Sequence, residues 1–481
     1  MNTSVIQQKI KALLKFNILD SKDVERFGII IEKLSDWDLF RINPIRFAND
    51  HAFDTKSMID IFIYAAKIGM LDFEWDMICP LCGAVIYNYD TIGEIKFDSY
   101  HCTMCDIDVK TDLSDFVEVS FNIDPSIEKL NLNPFADVYS YFKYFISPNF
   151  QMPPAFIEHY KLKGMRAFRT INPGDVTEIT FSSNPNELYR LISLDTNSIL
   201  RLQFNHSICD ISQIIEIDAL PSCLSPDTLN LPAGNITLRI TNHLARVTGF
   251  VLNFWDVVTI SSIFKDSPLK QYPFLTGKQL LNNQSFRDLF RIQTLPNDLR
   301  LKVSNITILF TDLKGSTELY EKTGDMFAYN LVQRHFELLK ESTKKFSGAI
   351  VKTIGDAIMA SFSTPIDGLL AAIDMTYKIK TKMNDTDKKG HEVAIKVGLN
   401  VGTAIVVTAN ETLDYFGQTV NIAARVQGLA EAGEIWVASN AYNFDTFNDI
   451  MQKHGFNIEK KSAYLKGVSQ PTNVYKCYSM L

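Results

Sequence analysis

The stretch ITILFTDLKGSTELY, residues 306–320, joins an apolar, β-branched run to a polar segment. Its KGST resembles the end of a phosphate-binding Walker loop, but the order GK[ST] and the glycine that should precede it are missing. Asp312 stands where the apolar run ends, and GSTELYE just after it can begin a helix. The stretch therefore leaves three interpretations open: an altered phosphate loop, a helix cap, or a metal ligand.

A second aspartate follows a second apolar run. The segment GAIVKTIGDAIMASF, residues 348–362, predicts two strands that meet at a tight turn over residues 354–356. Asp356 can be explained as a turn residue alone. However, two carboxylates at strand ends of one sheet could together bind a pair of divalent cations, which neutralise the attacking and leaving oxygens of a phosphoryl displacement.

A polar pair lies further along the chain, in DYFGQTVNIAARVQ, residues 414–427. Asn421 and Arg425 are four residues apart and so share one helix face. The neighbouring side chains are apolar or small, so we expect this helix to be substantially buried and its polar pair to need a partner. The guanidinium could bind a phosphate, although a solvated polar stripe is the alternative interpretation.

The segments FTDLKGST, VKTIGDAIMASF and DYFGQTVNIAAR, in this order and spacing, closely resemble the catalytic domain of class III nucleotidyl cyclases. The resemblance covers residues 305–478, a third of the chain, and implies a ferredoxin-like α/β sandwich. The preceding part of the chain resembles the accessory region, zinc ribbon included, that accompanies such domains in some bacterial cyclases.

The resemblance implies a role for each matched residue. Asp312 and Asp356 would bind two Mg²⁺ or Mn²⁺ ions, with help from the backbone carbonyl of Leu313. Asn421 would orient the ribose, and Arg425 would stabilise the charge that develops at the α-phosphate.

The resemblance also implies a nucleotide site. Lys352 would donate to the adenine ring N1 and Asp414 would accept from the exocyclic N6 amine, whereas guanine presents the opposite polarity at both positions. Lys466, in YLKG, would contact the terminal phosphates. Three residues at the start of the predicted helix would face the polyphosphate with their backbone N–H groups: Gly315, Ser316 and Thr317.

The activity so implied is that of an adenylate cyclase, in which the ribose 3′-hydroxyl of ATP attacks the α-phosphate and pyrophosphate leaves. In this family the metal-binding aspartates and the base-selecting and transition-state residues come from opposite subunits. One chain here carries both sets, which predicts a head-to-tail homodimer with two shared sites. A cyclase for another nucleotide, GTP or a pyrimidine, and a regulatory pseudo-cyclase that only binds nucleotide are the alternatives.

Seven cysteines occur in the chain, and four of them form two CxxC pairs. Cys79 and Cys82 are separated by 19 residues from Cys102 and Cys105, a spacing typical of a closed four-thiolate zinc site. The odd total favours reducing conditions over a disulfide framework. A redox dithiol or an iron–sulfur cluster is the alternative to structural zinc.

Composition and charge limit the expected partners and location of the protein. The chain has 481 residues and a net charge of −7, which argues against general nucleic-acid binding. We expect a cytoplasmic protein without a membrane segment, since no apolar run is long enough to span a bilayer and the first residues show no signal-peptide pattern. ATP, a second copy of the chain and an unknown regulatory ligand or protein are the expected partners.

The pattern of elements predicts a multidomain α+β protein. In the C-terminal part, Thr364 is predicted to cap a helix whose buried face consists of Ile366, Leu369, Leu370, Ile373 and Tyr377. The predicted divisions are a helical region (1–75), a zinc ribbon (76–118), a connecting segment (119–164), a small antiparallel β-rich accessory domain (165–262), a linker (263–303) and the cyclase domain (304–481).

Overall fold

A computed structural model describes residues 2–96, 99–114, 116–291, 301–314, 325–383, 393–409 and 411–479. These residues form an N-terminal region of helices and a small sheet, a β-rich region, and a C-terminal α/β region. None of the helices described there combines the length and the hydropathy that crossing a membrane requires.

The N-terminal region consists of short amphipathic helices that pack on a three-stranded sheet. Its helices are α1 (Thr3–Leu13), α2 (Ser21–Ile31), α3 (Pro44–Asp50) and α4 (Thr55–Lys67). Its strands are β1 (Leu71–Ile78), β2 (Val85–Tyr89), a hairpin of β3 (Ser99–Cys102) and β4 (Ile107–Lys110), and β5 (Val117–Ile123). The sheet order is β2-β1-β5. The predicted divisions at 75/76 and 118/119 fall inside β1 and β5, because these strands share one core with the helices.

The segment between this sheet and the β-rich region is partly helical. It contains α5 (Val138–Phe145), β6 (Phe150–Gln151) and α6 (Pro154–His159), which continues as a π-helical turn to Gly164.

The β-rich region is a single large sheet. Its strands are β7 (Met165–Ile171), β8 (Val176–Ser183), β9 (Leu188–Ser193), β10 (Ser198–Leu220), β11 (Cys223–Ser225), β12 (Thr228–Asn242) and β13 (Thr248–Phe254). The strand order is β7-β13-β9-β10-β12-β8, with β11 also on β10. The sheet was predicted to be antiparallel throughout, but β10 and β12 run parallel, because β11 lies between them in the chain and reverses its direction.

The predicted linker is largely folded. Before residue 292 it contains the end of α7 (Val257–Asp266), β14 (Lys270–Gln271), α8 (Gly277–Leu281) and α9 (Gln284–Leu289). Leu280, Leu281 and Phe286 from this segment are buried in the same core as the N-terminal helices. The segment therefore packs against the N-terminal and C-terminal regions and does not act as a free tether.

The C-terminal region begins with the strand that contains the stretch 306–313, which is an inner strand of its sheet. Its elements are β15 (Lys302–Leu313), α10 (Asp325–Lys345), β16 (Gly348–Ile354), β17 (Ala357–Phe362), α11 (Pro365–Lys378), β18 (Ile395–Ala409), β19 (Thr412–Phe416), α12 (Gln418–Gln427), β20 (Ile435–Ala438), α13 (Ser439–Tyr442), α14 (Phe447–Lys453), β21 (Phe456–Ala463) and β22 (Thr472–Ser479).

The sheet of this region has the order β16-β17-β15-β18-β20-β22-β21, with β19 on the outer half of β18. Its first elements follow the β-α-β-β-α-β order of a ferredoxin-like fold. Side chains alternate along β15, so that Leu309 faces the cluster formed with α10 and α11, whereas Ile308 and Phe310 face the cluster shared with the N-terminal region. Both faces of β15 are therefore covered.

Candidate active site

Asp312 and Asp356 lie at neighbouring strand ends. Asp312 is the penultimate residue of β15, and Asp356 lies in the two-residue turn between β16 and β17, where Gly355 has a φ of +63°. Because β17 pairs with β15, this turn lies beside the end of β15. Burial and then the charge of Asp356 raise the pKa of Asp312, while Lys396, opposite Asp312 in the ladder, lowers it in part. The structure thus brings together the two predicted metal ligands.

The chemistry of this pair fits a divalent cation. The Oδ2 atom of Asp356 is buried and has no hydrogen-bond partner among the described residues. Two partly buried carboxylates that repel each other destabilise the folded protein unless a cation neutralises their charge. Carboxylate and backbone carbonyl oxygens are the ligands that Mg²⁺ and Mn²⁺ prefer. Leu313, whose carbonyl was predicted to assist, is buried directly after Asp312 at the end of β15.

A histidine that the sequence did not single out lies behind the carboxylates. His335, on α10, is fully buried, and burial lowers its pKa to about 4 despite the nearby charge and backbone of Asp356. The ring is therefore neutral at physiological pH. The sequence could have indicated its burial, because it lies three residues after Val332 within an apolar stripe of the helix.

The predicted base-selecting residues form an ion pair. Nζ of Lys352, on β16, lies 2.5 Å from Oδ2 of Asp414, on β19. The Lys352 side chain is 40% exposed and lines a solvent-accessible cleft, whereas that of Asp414 is 13% exposed. The other carboxylate oxygen, Oδ1 of Asp414, accepts a hydrogen bond from the backbone N–H of Tyr415.

The helix α12 places its polar pair differently from the prediction. Asn421 is exposed, and only Arg425 is partly buried, because the helix presents Thr419, Ala423 and Val426 to the sheet. Asn421 therefore needs no partner within its own chain, contrary to the expectation from its apolar neighbours.

Arg425 lies close to the loop that carries Lys466. The guanidinium Nη2 of Arg425 lies 3.5 Å from the position that a Cβ would take on Gly467, which has a φ of +76°. Lys466 is the exposed residue just before that glycine. The helix thus places Arg425 against the residue that follows Lys466. The predicted polyphosphate-facing residues Gly315, Ser316 and Thr317 lie outside the described residues.

The acidic pair makes no described hydrogen bond or ion pair with the other predicted site residues. Within the described parts of the chain, no hydrogen bond or ion pair links Asp312 or Asp356 to Lys352, Asn421 or Arg425. A single chain therefore presents the two groups without joining them.

The four paired cysteines converge on a separate centre. The Sγ atoms of Cys79, Cys82, Cys102 and Cys105 all lie within 4.8 Å of one another, and the first three residues are buried. Gly83 allows the tight first knuckle, with a φ of +71°. All seven cysteines are free of disulfides. The donor set and its closure fit a four-thiolate zinc site with no open coordination position.

Two family models match the chain. Residues 300–480 match the model described as the adenylate and guanylate cyclase catalytic domain, and residues 5–159 match a family of unknown function, DUF5939. The first match contains every candidate site residue except the cysteines. It supports a cyclase catalytic domain in the C-terminal part of the chain.

Two of the proteins to which the chain is similar are named adenylate cyclases. The adenylate cyclase of Lachancea kluyveri is 26% identical over 226 residues, which are 43% of this chain and 12% of that protein. The adenylate cyclase of Podospora anserina is 30% identical over 155 residues, which are 28% of this chain and 7% of that protein. The chain thus spans only about a tenth of the length of these relatives. Among solved structures, the adenylyl cyclase CyaB from P. aeruginosa is 23% identical, covering 38% of this chain and 97% of that one, with a TM-score of 0.33.

Proposed function

We propose that this protein is an adenylate cyclase that converts ATP into 3′,5′-cyclic AMP and pyrophosphate. The observation that carries the proposal is the juxtaposition of Asp312 and Asp356 within the region that matches cyclase catalytic domains. The buried, unpartnered oxygen of Asp356 supports a cation site at that point. The pairing of an ammonium with a carboxylate at Lys352 and Asp414 supports adenine over guanine.

Asp312, Asp356 and the carbonyl of Leu313 would hold two divalent cations. Such ions, when bound, lower the pKa of the ribose 3′-hydroxyl and neutralise charge on the triphosphate. The protein's own part is to fix these oxygens at the ends of β15 and β16, where the sheet restricts their movement.

The remaining residues would bind and orient the nucleotide. Lys352 donates to N1 of adenine and Asp414 accepts from N6. Asn421 orients the ribose, Arg425 offers its planar guanidinium to the α-phosphate, and Lys466 contacts the terminal phosphates. The backbone N–H groups of residues 315–317 would contact the polyphosphate as well.

A second copy of the chain would complete each active site. The proposal is supported by the exposure of Asn421 and Lys466 in the single chain, and by the absence among the described residues of any hydrogen bond or ion pair that joins the acidic pair to Lys352 or Arg425. A two-fold dimer would bring the acidic group of one chain to the base-binding group of the other. The four cysteines would hold one structural zinc ion in each chain.

The substrate is tested by incubating the purified chain with each of the four nucleoside triphosphates and Mn²⁺, followed by chromatographic identification of the products. We expect cyclic AMP to form fastest, and activity per subunit to fall when the protein is diluted below the dimer dissociation constant. Faster cyclisation of GTP or a pyrimidine nucleotide would reject the assignment of adenine, and nucleotide binding without turnover would indicate a pseudo-cyclase.

A further inference from the structure

Lys352 and Asp414 lie on strands that are not neighbours. β16 is the edge strand of the sheet, whereas β19 pairs with the outer half of β18, opposite Val407 at the position of Asp414. Two strands, β17 and β15, separate β16 from β18. No single ladder therefore joins the strand of the ammonium to the strand of the carboxylate, and an element that contacts both strands adds to what holds them in place.

Residues 282–290, which contain α9 and are called the clip below, contact both strands. On the first side, Oε1 of Gln284 accepts a hydrogen bond from the backbone N–H of Ile350, at 2.7 Å. The ladder between β16 and β17 shifts register between Ile350 and Lys352. Because a bulge re-aims the side chains next to it, the direction of Lys352 depends on how this point is held.

On the second side, Arg287 holds the strand that carries Asp414. Its Nη1 donates to the carbonyl of Leu413 at 2.9 Å, and its Nε donates to the carbonyl of Leu281 at 2.7 Å. The guanidinium also lies 5.3 Å from the ring centre of Tyr415. Arg287 thus contacts the residues on both sides of Asp414.

Asn282 connects the same strand to the middle of the sheet. Its Oδ1 accepts from Oγ of Ser361 on β17 at 2.5 Å and from the Tyr415 hydroxyl at 3.3 Å. Asn282 is fully buried, so these bonds are shielded from water. The clip therefore bonds β16, β17 and β19 at once.

The opposite side of the clip is fixed to the N-terminal region. Phe286 and Phe290 pack against Phe73 of β1, with ring centres 5.8 and 5.2 Å apart. Nδ2 of Asn283 donates to Asp60 on α4 at 3.1 Å. These contacts give the clip a rigid support from which its polar side chains can hold the strands.

We infer that Gln284 and Arg287 are positioning residues for the Lys352–Asp414 pair, and that the clip thereby determines how well the enzyme distinguishes adenine from guanine. The inference rests on the proposed function, in which that pair reads the base. Base discrimination by hydrogen bonds requires donor and acceptor to match the base edge closely, so a shift of either strand weakens adenine binding and relaxes the rejection of guanine.

The test compares Arg287→Ala, Arg287→Lys and Gln284→Ala with the control Arg291→Ala, which removes an exposed arginine from the same cleft. Two quantities are measured: hydrogen–deuterium exchange of peptides covering 348–354 and 412–416, and kcat/KM for ATP and for GTP. We expect Arg287→Ala and Gln284→Ala to speed exchange in these peptides and to lower the ATP-to-GTP ratio by about tenfold. The lower ratio should arise mainly from a higher KM for ATP, with kcat within about threefold of the wild-type value. Arg287→Lys should recover part of the wild-type ATP-to-GTP ratio.

Unchanged exchange in both strands would overturn the inference, and so would faster exchange with an unchanged nucleotide ratio. An equal fall in kcat for both nucleotides would indicate a general folding defect and would also contradict it. If the wild-type chain forms no cyclic nucleotide, the proposed function fails first. The exchange measurement then still decides whether Gln284 and Arg287 hold the two strands.

Discussion

The carboxylate of Asp356 lies close enough to Asp312 to raise the pKa of Asp312, and its own Oδ2 is buried without a hydrogen-bond partner among the described residues. In the protein without metal, this proximity opposes folding at neutral pH, because two negative charges share a partly buried site. A bound cation would reverse the sign of that contribution. The pair can therefore be examined through stability as well as through activity.

Replacing Asp356 with Asn should raise the melting temperature of the metal-free protein by about 1–3 °C, because it removes the repulsion that acts on Asp312. The same change should abolish the stabilisation of the wild-type protein by millimolar Mn²⁺. Differential scanning fluorimetry with and without Mn²⁺ measures both effects. Asp445→Asn, at an exposed position, serves as the control. A full Mn²⁺ shift in Asp356→Asn would contradict the assignment of this residue as a ligand.

The double change Lys352→Glu and Asp414→Cys should weaken the use of ATP before it affects folding. The glutamate accepts where adenine N1 also accepts, so kcat/KM for ATP should fall by about 100-fold or more. Steady-state assays with ATP and GTP measure the effect, and a circular dichroism spectrum like that of the wild type shows that the fold is kept. If ATP use is unchanged, the two residues do not read the base.

A buried carboxyl in the N-terminal sheet predicts a pH dependence of stability. Glu118 is fully buried and accepts hydrogen bonds from Ser147 and Asn149, yet burial raises its pKa to about 6. The neighbouring charged groups, Arg41 and Asp76, lie on the elements packed against it, and burial also raises the pKa of Asp76.

A glutamate has an ordinary pKa of about 4.3 in an unfolded chain, so the folded protein keeps a proton that the unfolded chain releases. Stability therefore falls as the pH rises from about 4 to about 6, and this group adds no further change above that. Glu118→Gln, which stays neutral, should reduce this loss of stability with rising pH. It should add on the order of 2 kcal/mol to the free energy of unfolding at pH 7. Thermal unfolding between pH 4.5 and 8 measures it, and equal slopes for both proteins would contradict the prediction.

Bound zinc should stabilise the contacts between the cysteine cluster and the β-rich region, as well as the cluster itself. Beside Cys102, the backbone N–H and the hydroxyl of Thr103 donate to Asn197 in the β-rich region, and Arg190 donates to the carbonyl of Met104. Cys102→Ser should therefore lower the zinc content from one ion per chain to none and make the β-rich region easier to cleave with protease. Metal analysis and limited proteolysis measure these effects.

The matched control for the zinc prediction is Cys223→Ser, which removes an exposed cysteine outside the cluster. It should keep both the zinc content and the protease resistance of the wild type. A zinc-free wild-type protein, or a Cys102→Ser protein with wild-type protease resistance, would reject a structural zinc site.

Local chemistry made some elements predictable from the sequence. The turn at residues 354–356 forms a hairpin as predicted, because Gly355 supplies the left-handed conformation that the turn requires. Thr364 caps α11 by accepting from the backbone N–H of Asp367. In both cases the determining contacts lie within four residues of each other, so the sequence alone carries the signal.

The burial of α11 was predicted only in part. Leu369 and Ile373 are buried as predicted, whereas Ile366 and Tyr377 are 39% and 67% exposed. The helix instead approaches the sheet through small residues, since a Cβ on Gly368 would lie 2.6 Å from Cγ2 of Thr307. The pattern of large apolar residues could not show that a close approach through small residues decides the buried face.

Contacts between distant segments could not be predicted at all. Gln284 reaches Ile350 and Arg287 reaches Leu413 across 66 and 126 residues of chain. The predicted linker contained both side chains, and nothing in its local pattern distinguishes them from other polar residues. The candidate acidic residues, in contrast, were recognisable because each stands at the end of an apolar run.

The central claim is that the chain cyclises ATP at a site that depends on Asp356. The most direct measurement incubates ATP and Mn²⁺ with the full chain, either wild type or Asp356→Ala, and identifies the products by mass spectrometry together with a pyrophosphate assay. We predict equimolar cyclic AMP and pyrophosphate from the wild type and no product above background from the variant. Cyclic AMP formation by Asp356→Ala at the wild-type rate, or hydrolysis of ATP to ADP by the wild type without cyclic product, would contradict it.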